Sequence, residues 1–320
     1  MPRRVAALAG LLLAARATAQ QLDWIGETFD GSAVSLWTLS AKGAPVGAAR
    51  GSVALPAGSS IGTDLFRCQP YGAFCQFIAT SPSGATLYNV SVVDASVAGS
   101  VALPPAESIV SLHVDHTSGT SFFTALTGAG GAAVMAVSDD GAARVAVDLT
   151  RFLPAGSTIR AGGATHCSNK QLMWVAVTNA TAGAILTLDL ASGSVVTQAP
   201  LTFSGFDAMW ADCADVGAAD LPAGTLFTDG ASPTLAYGEV AADGSFAAVV
   251  TGKVPAGFAP NGLLTFASLT SGDAYVAPLY PKGTTPGSGS TSGYLAFFSN
   301  PGPGLDVLPV DFYLAGASLA

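Results

Sequence analysis

Charge is the scarcest commodity in this sequence: Asp, Glu, Lys and Arg make up 10% of 320 residues, while hydrophobic residues make up 50%. Disorder needs the reverse balance, so the chain is expected to fold. Histidine occurs three times, and the four cysteines include no Cys-x-x-Cys pair, which removes the usual thiolate spacing for zinc. No run of 18 apolar residues occurs, so the mean hydropathy of +0.49 reflects many alternating buried positions and not a membrane span. Helical periodicity is missing too, since no stretch of ten or more residues sustains a 3.6-residue repeat between caps. Neither Gly-x-Gly-x-x-Gly nor a P-loop is present, and nucleotide cofactors therefore have no support. The few charges are unbalanced, 21 acidic against 12 basic. A surface of that sign repels phosphate backbones and anionic lipid, which argues against nucleic acid and membrane surfaces as partners.

What is present begins with a leader. Arg3 and Arg4 precede an apolar run from Val5 to Ala15, too short to span a bilayer, and Ala17-Thr18-Ala19 supplies a small-x-small cleavage site. Residues 1–19 thus read as a secretory signal peptide cut before Gln20, leaving 20–320 as one extracellular domain. In an oxidising compartment the even cysteine count predicts two disulfides. Cys68 and Cys75 flank a Pro70-Tyr71-Gly72 turn and suit a hairpin bridge, which leaves Cys167 and Cys213 to join neighbouring strand ends. A zinc site from these thiols and His166 is the less favoured use. Two sequons, at Asn89 and Asn179, are candidate glycosylation sites.

The strongest signal is internal repetition. Gly51-Ser52-Val53-Ala54-Leu55-Pro56 recurs as Gly99-Ser100-Val101-Ala102-Leu103-Pro104, and looser copies end at Pro154, Pro200, Pro255 and Pro309, spaced 46 to 55 residues apart. Each interval divides into about four short apolar runs punctuated by turn residues. Asp140-Gly141, Ser192-Gly193 and Asp243-Gly244 fall at the corresponding third turn. Repeats of this length with four strands each predict an all-β propeller, most simply of six four-stranded blades. Seven blades, paired sandwiches and an open solenoid remain as alternatives.

The first repeat, Leu22 to Pro56, has room for three strands, and one apolar segment, Val310 to Leu314, is left over after Pro309. That pairing of a deficit with a surplus predicts a C-terminal strand closing the N-terminal blade, which hides the two most exposed edges. Trp-Asp signatures and kelch-type Gly-Gly cues are missing, so the repeat points to an architecture and to no particular family.

Polar residues recur where the innermost strand of each blade should start, at the mouth of a central channel: Asp64, Glu107, Arg160, Asp207 and Asn261. Asp64, Glu107, Asp207 and Asn261 offer oxygens of the kind a calcium ion takes, whereas Arg160 suits an anionic ligand. His113 and Asp115 share a strand face and could form an imidazole oriented by a carboxylate, the arrangement of a general base. His116 points the other way. Gly58-Ser59-Ser60-Ile61-Gly62 matches the nucleophile-elbow pattern, but a strand follows it where an elbow needs a helix. The Gly/Ser/Thr/Pro tract from Thr284 to Ser292 reads as filler or a lid, and Trp24, Trp37, Trp174 and Trp210 as packing between blades.

The composition and motifs together favour a secreted binding module whose loops recognise an extracellular protein, a carbohydrate or a small molecule. A calcium-dependent propeller hydrolase of lactonase or glycosidase type is the alternative, with its site at the channel mouth.

Overall fold

Runs of five to eight apolar or alternating residues, interrupted by Asp, Ser and Gly, are too short for helices and well sized for strands. The protein is described here by a computed structural model covering residues 24–39, 45–62, 64–68, 73–115, 118–138, 141–153, 156–159, 163–179, 183–203, 205–210, 217–260, 264–268, 272–283, 294–299, 305–309 and 314–319. Among these residues the helical segments are short 3-10 turns, and no helix is long and apolar enough to cross a membrane.

The first sheet contains β1 (Trp24–Phe29), β2 (Ala33–Leu39) and β3 (Pro45–Ala54). The second runs through β4 (Phe66–Cys68), β5 (Phe74–Ser81), β6 (Gly84–Ser91) and β7 (Val97–Ala102). The third comprises β8 (Ser108–Val114), β9 (Ser121–Thr127), β10 (Gly131–Val137) and β11 (Ala143–Asp148). The fourth follows with β12 (Ala164–Cys167), β13 (Leu172–Thr178), β14 (Gly183–Asp189) and β15 (Ser194–Leu201). The fifth holds β16 (Phe206–Trp210), β17 (Ala223–Thr228), β18 (Thr234–Val240) and β19 (Phe246–Lys253). In the sixth, β20 (Phe258–Pro260) and β21 (Leu264–Ser268) both pair with the long β22 (Gly272–Pro281), which continues to β23 (Tyr294–Ser299) and β24 (Leu305–Pro309). All these pairings are antiparallel, and the second to fifth sheets are simple meanders.

The last strand, β25 (Leu314–Leu319), returns to the first sheet and pairs with β1, Leu319 opposite Trp24. The C-terminal strand therefore completes the N-terminal sheet as the repeat predicts, beginning at Leu314, the last residue of the expected segment, and running on to Leu319. Residues 310–313 lie outside the described residues, and the pairing is made by Leu314 and by Gly316 to Leu319, with a register shift that passes over Ala315.

Apolar cores sit between successive sheets. One joins Val34 and Leu36 to Phe66 and Phe77 and also takes in Tyr280 of the sixth sheet. Others join Ile78 to Leu112 and Phe123, then Val134 to Val175, then Trp174 to Phe206, then Leu235 to Leu279 and Ala296. Because both faces of each middle strand are covered, β10 is buried along its whole length and β13 over all but its last residue. The first strands of the sheets meet at the centre, with β4 between β25 and β8, and β12 between β8 and β16.

The outermost strands are exposed edges with few charges to protect them. A register shift interrupts five of these outer pairs, at Leu36/Thr38, Asn89/Val90, Val134/Met135, Thr187/Leu188 and Tyr237/Gly238. Bulges of this kind twist an edge away from further pairing, a substitute for edge lysines.

The third turns also contact the preceding sheet. Gly193 and Gly244 adopt φ of +66° and +80°, and a Cβ added to Gly244 would lie 2.1 Å from the Pro200 carbonyl. Cys68 and Cys75 are cross-strand partners and form the expected disulfide. Cys167 is disulfide-bonded too, while Cys213 lies outside the described residues.

Candidate functional site

Polar side chains gather where β4, β8 and β12 end. Alternation along β8 puts His113 on the same face as its cross-strand partner Phe122, toward the fourth sheet. From that sheet His166 reaches back, its ring centroid 6.3 Å from His113 and 5.4 Å from Phe122. His113 is 7% exposed, and its Nε2 is buried with no hydrogen-bond partner. Burial, followed by the nearby Arg67 and His166, holds its basicity well below that of a free imidazole. His113 is thus a neutral imidazole at neutral pH.

Asp115, two residues on, is also buried. Its Oδ2 accepts hydrogen bonds from Ser118 Oγ at 2.8 Å and from Gln171 Nε2 at 2.7 Å. Gln171 ends a 3-10 turn in the left-handed region, φ 52°, and its amide also donates to the Ser168 carbonyl. Ser168 Oγ in turn reaches the Val114 carbonyl at 3.4 Å. These bonds fasten the third sheet to the fourth. His113 Nε2 has no hydrogen-bond partner, while Asp115 Oδ2 is taken up by Ser118 and Gln171; His116 lies outside the described residues.

Asp64 is buried at φ 67° just ahead of β4, ion-paired with Arg67, and its carbonyl accepts from the Leu112 amide at 2.9 Å. It therefore stitches the second sheet to the third. Leu112 stands five residues along β8 from Glu107, roughly 17 Å at strand rise, so Asp64 and Glu107 occupy different depths. Glu107 is exposed, in a cleft of about 530 Å³ between the second and third sheets. Asp207 is buried as the extra residue of a bulge in β16, between the paired Phe206 and Ala208. Arg160 and Asn261 lie outside the described residues. Among the described residues no three His, Cys, Asp or Glu side chains come together as a metal ion requires.

The remaining motifs also find places. Ser59 is buried in a turn ahead of the isolated Ser60–Thr80 bridge, with no helix after it, so it forms no nucleophile elbow. Trp174 packs between the fourth and fifth sheets, its indole donating to the Asp220 carbonyl at 3.1 Å. Asn89 stands half-buried on β6 beside a groove of about 300 Å³, and its Oδ1 is buried without a hydrogen-bond partner. Arg67 and Gln171 were not singled out from the sequence. Each acts through a contact to a carboxylate, and Gln171 meets Asp115 across 56 residues, a pairing that leaves no local trace.

No protein-family model matches the chain, and neither does any curated protein. Solved structures do resemble it. A structure of a nidogen/laminin complex matches 93% of this chain and 98% of its own at TM-score 0.56 and 11% identity. The fold is a β-propeller. A putative TolB from Agrobacterium tumefaciens matches this propeller over 92% of both chains at TM-score 0.55 and 11% identity. A functionally unknown protein from Desulfotomaculum acetoxidans covers 94% of it at TM-score 0.51 and 11% identity, over 90% of its own length.

Proposed function

We propose that this chain is a secreted, non-catalytic interaction module, in which a closed ring of six blades displays turns and inter-blade clefts to an extracellular protein, carbohydrate or small-molecule ligand. The observation that carries this reading is the use of two inner carboxylates, Asp64 and Asp115, as fasteners. Asp64 is held by Arg67, and Asp115 is held by Ser118 and Gln171. A hydrolase needs such groups free to move a proton or hold substrate. The leader at 1–19 and the disulfides at Cys68–Cys75 and Cys167 suit an oxidising, extracellular setting. That a similar fold was solved as a nidogen/laminin complex favours protein recognition by this scaffold.

The test is expression of the full chain in a eukaryotic secretory host. Protein recovered from the medium should begin near Gln20 and should bind saturably to a member of a panel of immobilised matrix proteins and glycans. Its mass will report glycans at Asn89 and Asn179. It should turn over no aryl ester, lactone or glycoside at millimolar calcium. Calcium-dependent turnover that is lost in Asp64→Asn or Asp207→Asn would replace this reading with the hydrolase one.

A further inference from the structure

The cleft beside Glu107 has a chemistry of its own. Leu65, Ala85, Pro105, Ala106 and Ile109 form its apolar lining, Leu65 and Ile109 being the buried ones at its floor, and Ser60 and Thr80 line it with hydroxyls that bond each other at 2.8 Å. Those hydroxyls satisfy one another and make little demand on a ligand. Glu107 is the one charged residue of the lining and is exposed, with no ion pair among the described residues. At about 530 Å³ the space falls within the range of ligand pockets, about 300–1,000 Å³. An apolar floor with one free carboxylate fits an alkyl stem that ends in a cation, the two-part character of arginine and lysine.

We infer that this cleft receives an arginine or lysine side chain of an extracellular protein partner, with its stem on Leu65 and Ile109 and its head at Glu107. The inference rests on the interaction reading and names the chemistry by which the second and third blades would take part. The backbone of Glu107 donates to the Leu126 carbonyl at 2.8 Å, a bond that a side-chain substitution leaves intact. Glu107→Gln and Glu107→Lys should therefore both fold.

The experiment titrates the full secreted protein with n-butylguanidinium, n-butylammonium, n-butanol and butyrate while following the methyl resonances of Leu65 and Ile109. The two cations should shift these methyls saturably, and butanol and butyrate should bind more weakly. Glu107→Gln should weaken the cations about two- to fivefold, the range of an exposed ion pair. Glu107→Lys should abolish cation binding and admit butyrate. Butanol binding as well as the cations, or cation binding unchanged in Glu107→Gln, overturns the proposal. The probes report on the cleft alone, so such a failure leaves the interaction reading to the partner panel described above.

Discussion

Moving an imidazole from water into the seam between two sheets removes the hydration that its charged form needs, and His113 is buried in this way beside Arg67 and His166. Its folded basicity lies below the usual value of 6.5. Between those two values the unfolded chain binds a proton that the folded chain does not, so stability rises with pH across that window. The contribution is complete above about 6.5 and is lost as pH falls through the folded value. Urea midpoints should therefore drop between pH 7.5 and 5 in the parent, and drop less in His113→Leu; equal slopes in the two proteins would show a solvated imidazole. The turn carboxylates work in a separate, lower window. The Ser96 and Ser245 hydroxyls hold Asp94 and Asp243 below 3.8, so their contribution is present above that value and goes only in stronger acid. Asp243→Asn should flatten the acid limb of the stability curve and leave the limb near neutrality unchanged.

At the scale of strands and turns, the same device recurs: a turn of one sheet packs against the outer strand of the sheet before it. At the first such contact a Cβ on Gly51 of β3 would lie 2.0 Å from the carbonyl of Asp94. Gly51→Ala must push two sheets apart and should cost about 1–3 kcal/mol, the usual range of overpacking. Gly99, on the equivalent strand of the next sheet, has open space around it, so Gly99→Ala should be close to neutral or slightly stabilising. Thermal unfolding of the two variants checks the contrast, and equal losses would mean that strand propensity, and not the contact, sets the need for glycine. These elements were legible in the sequence because their signals are local. Proline-ended runs mark the ends of repeats, and Gly141, Gly193 and Gly244 all take the positive φ their turns require. The candidate site was legible only in part. Asp64 and Asp207 are marked by their position on the inner strands and Asp115 by the face it shares with His113, but their partners are not marked. Asp115 meets Gln171 from another sheet, and Asp207 is displaced by a bulge that no residue pattern announces. Polar residues at equal repeat positions look convergent on paper, and the bulge and the different depths of Asp64 and Glu107 separate them in space.

For the whole molecule the decisive contact is the pairing of β25 with β1, which brings the two ends of the described chain into one sheet. A linear stack of the same sheets would leave β1 and β4 with open edges, whereas closure covers both, since β25 also lies against β4. Leu319 stands opposite Trp24 in an antiparallel pair, so an Asn-Gly link between them makes a two-residue hairpin turn. New ends can be opened between Ala191 and Ser192, both exposed in the third turn of the fourth sheet. Such a circular permutant, running from Ser192 through the link to Ala191, should keep the far-ultraviolet dichroism of the parent and unfold in one cooperative step near the parent's midpoint. Deleting 314–320 without a replacement should instead lower the midpoint and speed proteolysis of the first two sheets. A permutant that fails to fold, beside a truncation as stable as the parent, would mean that β25 is an accessory strand and that the sheets are held together in some way other than a closed ring.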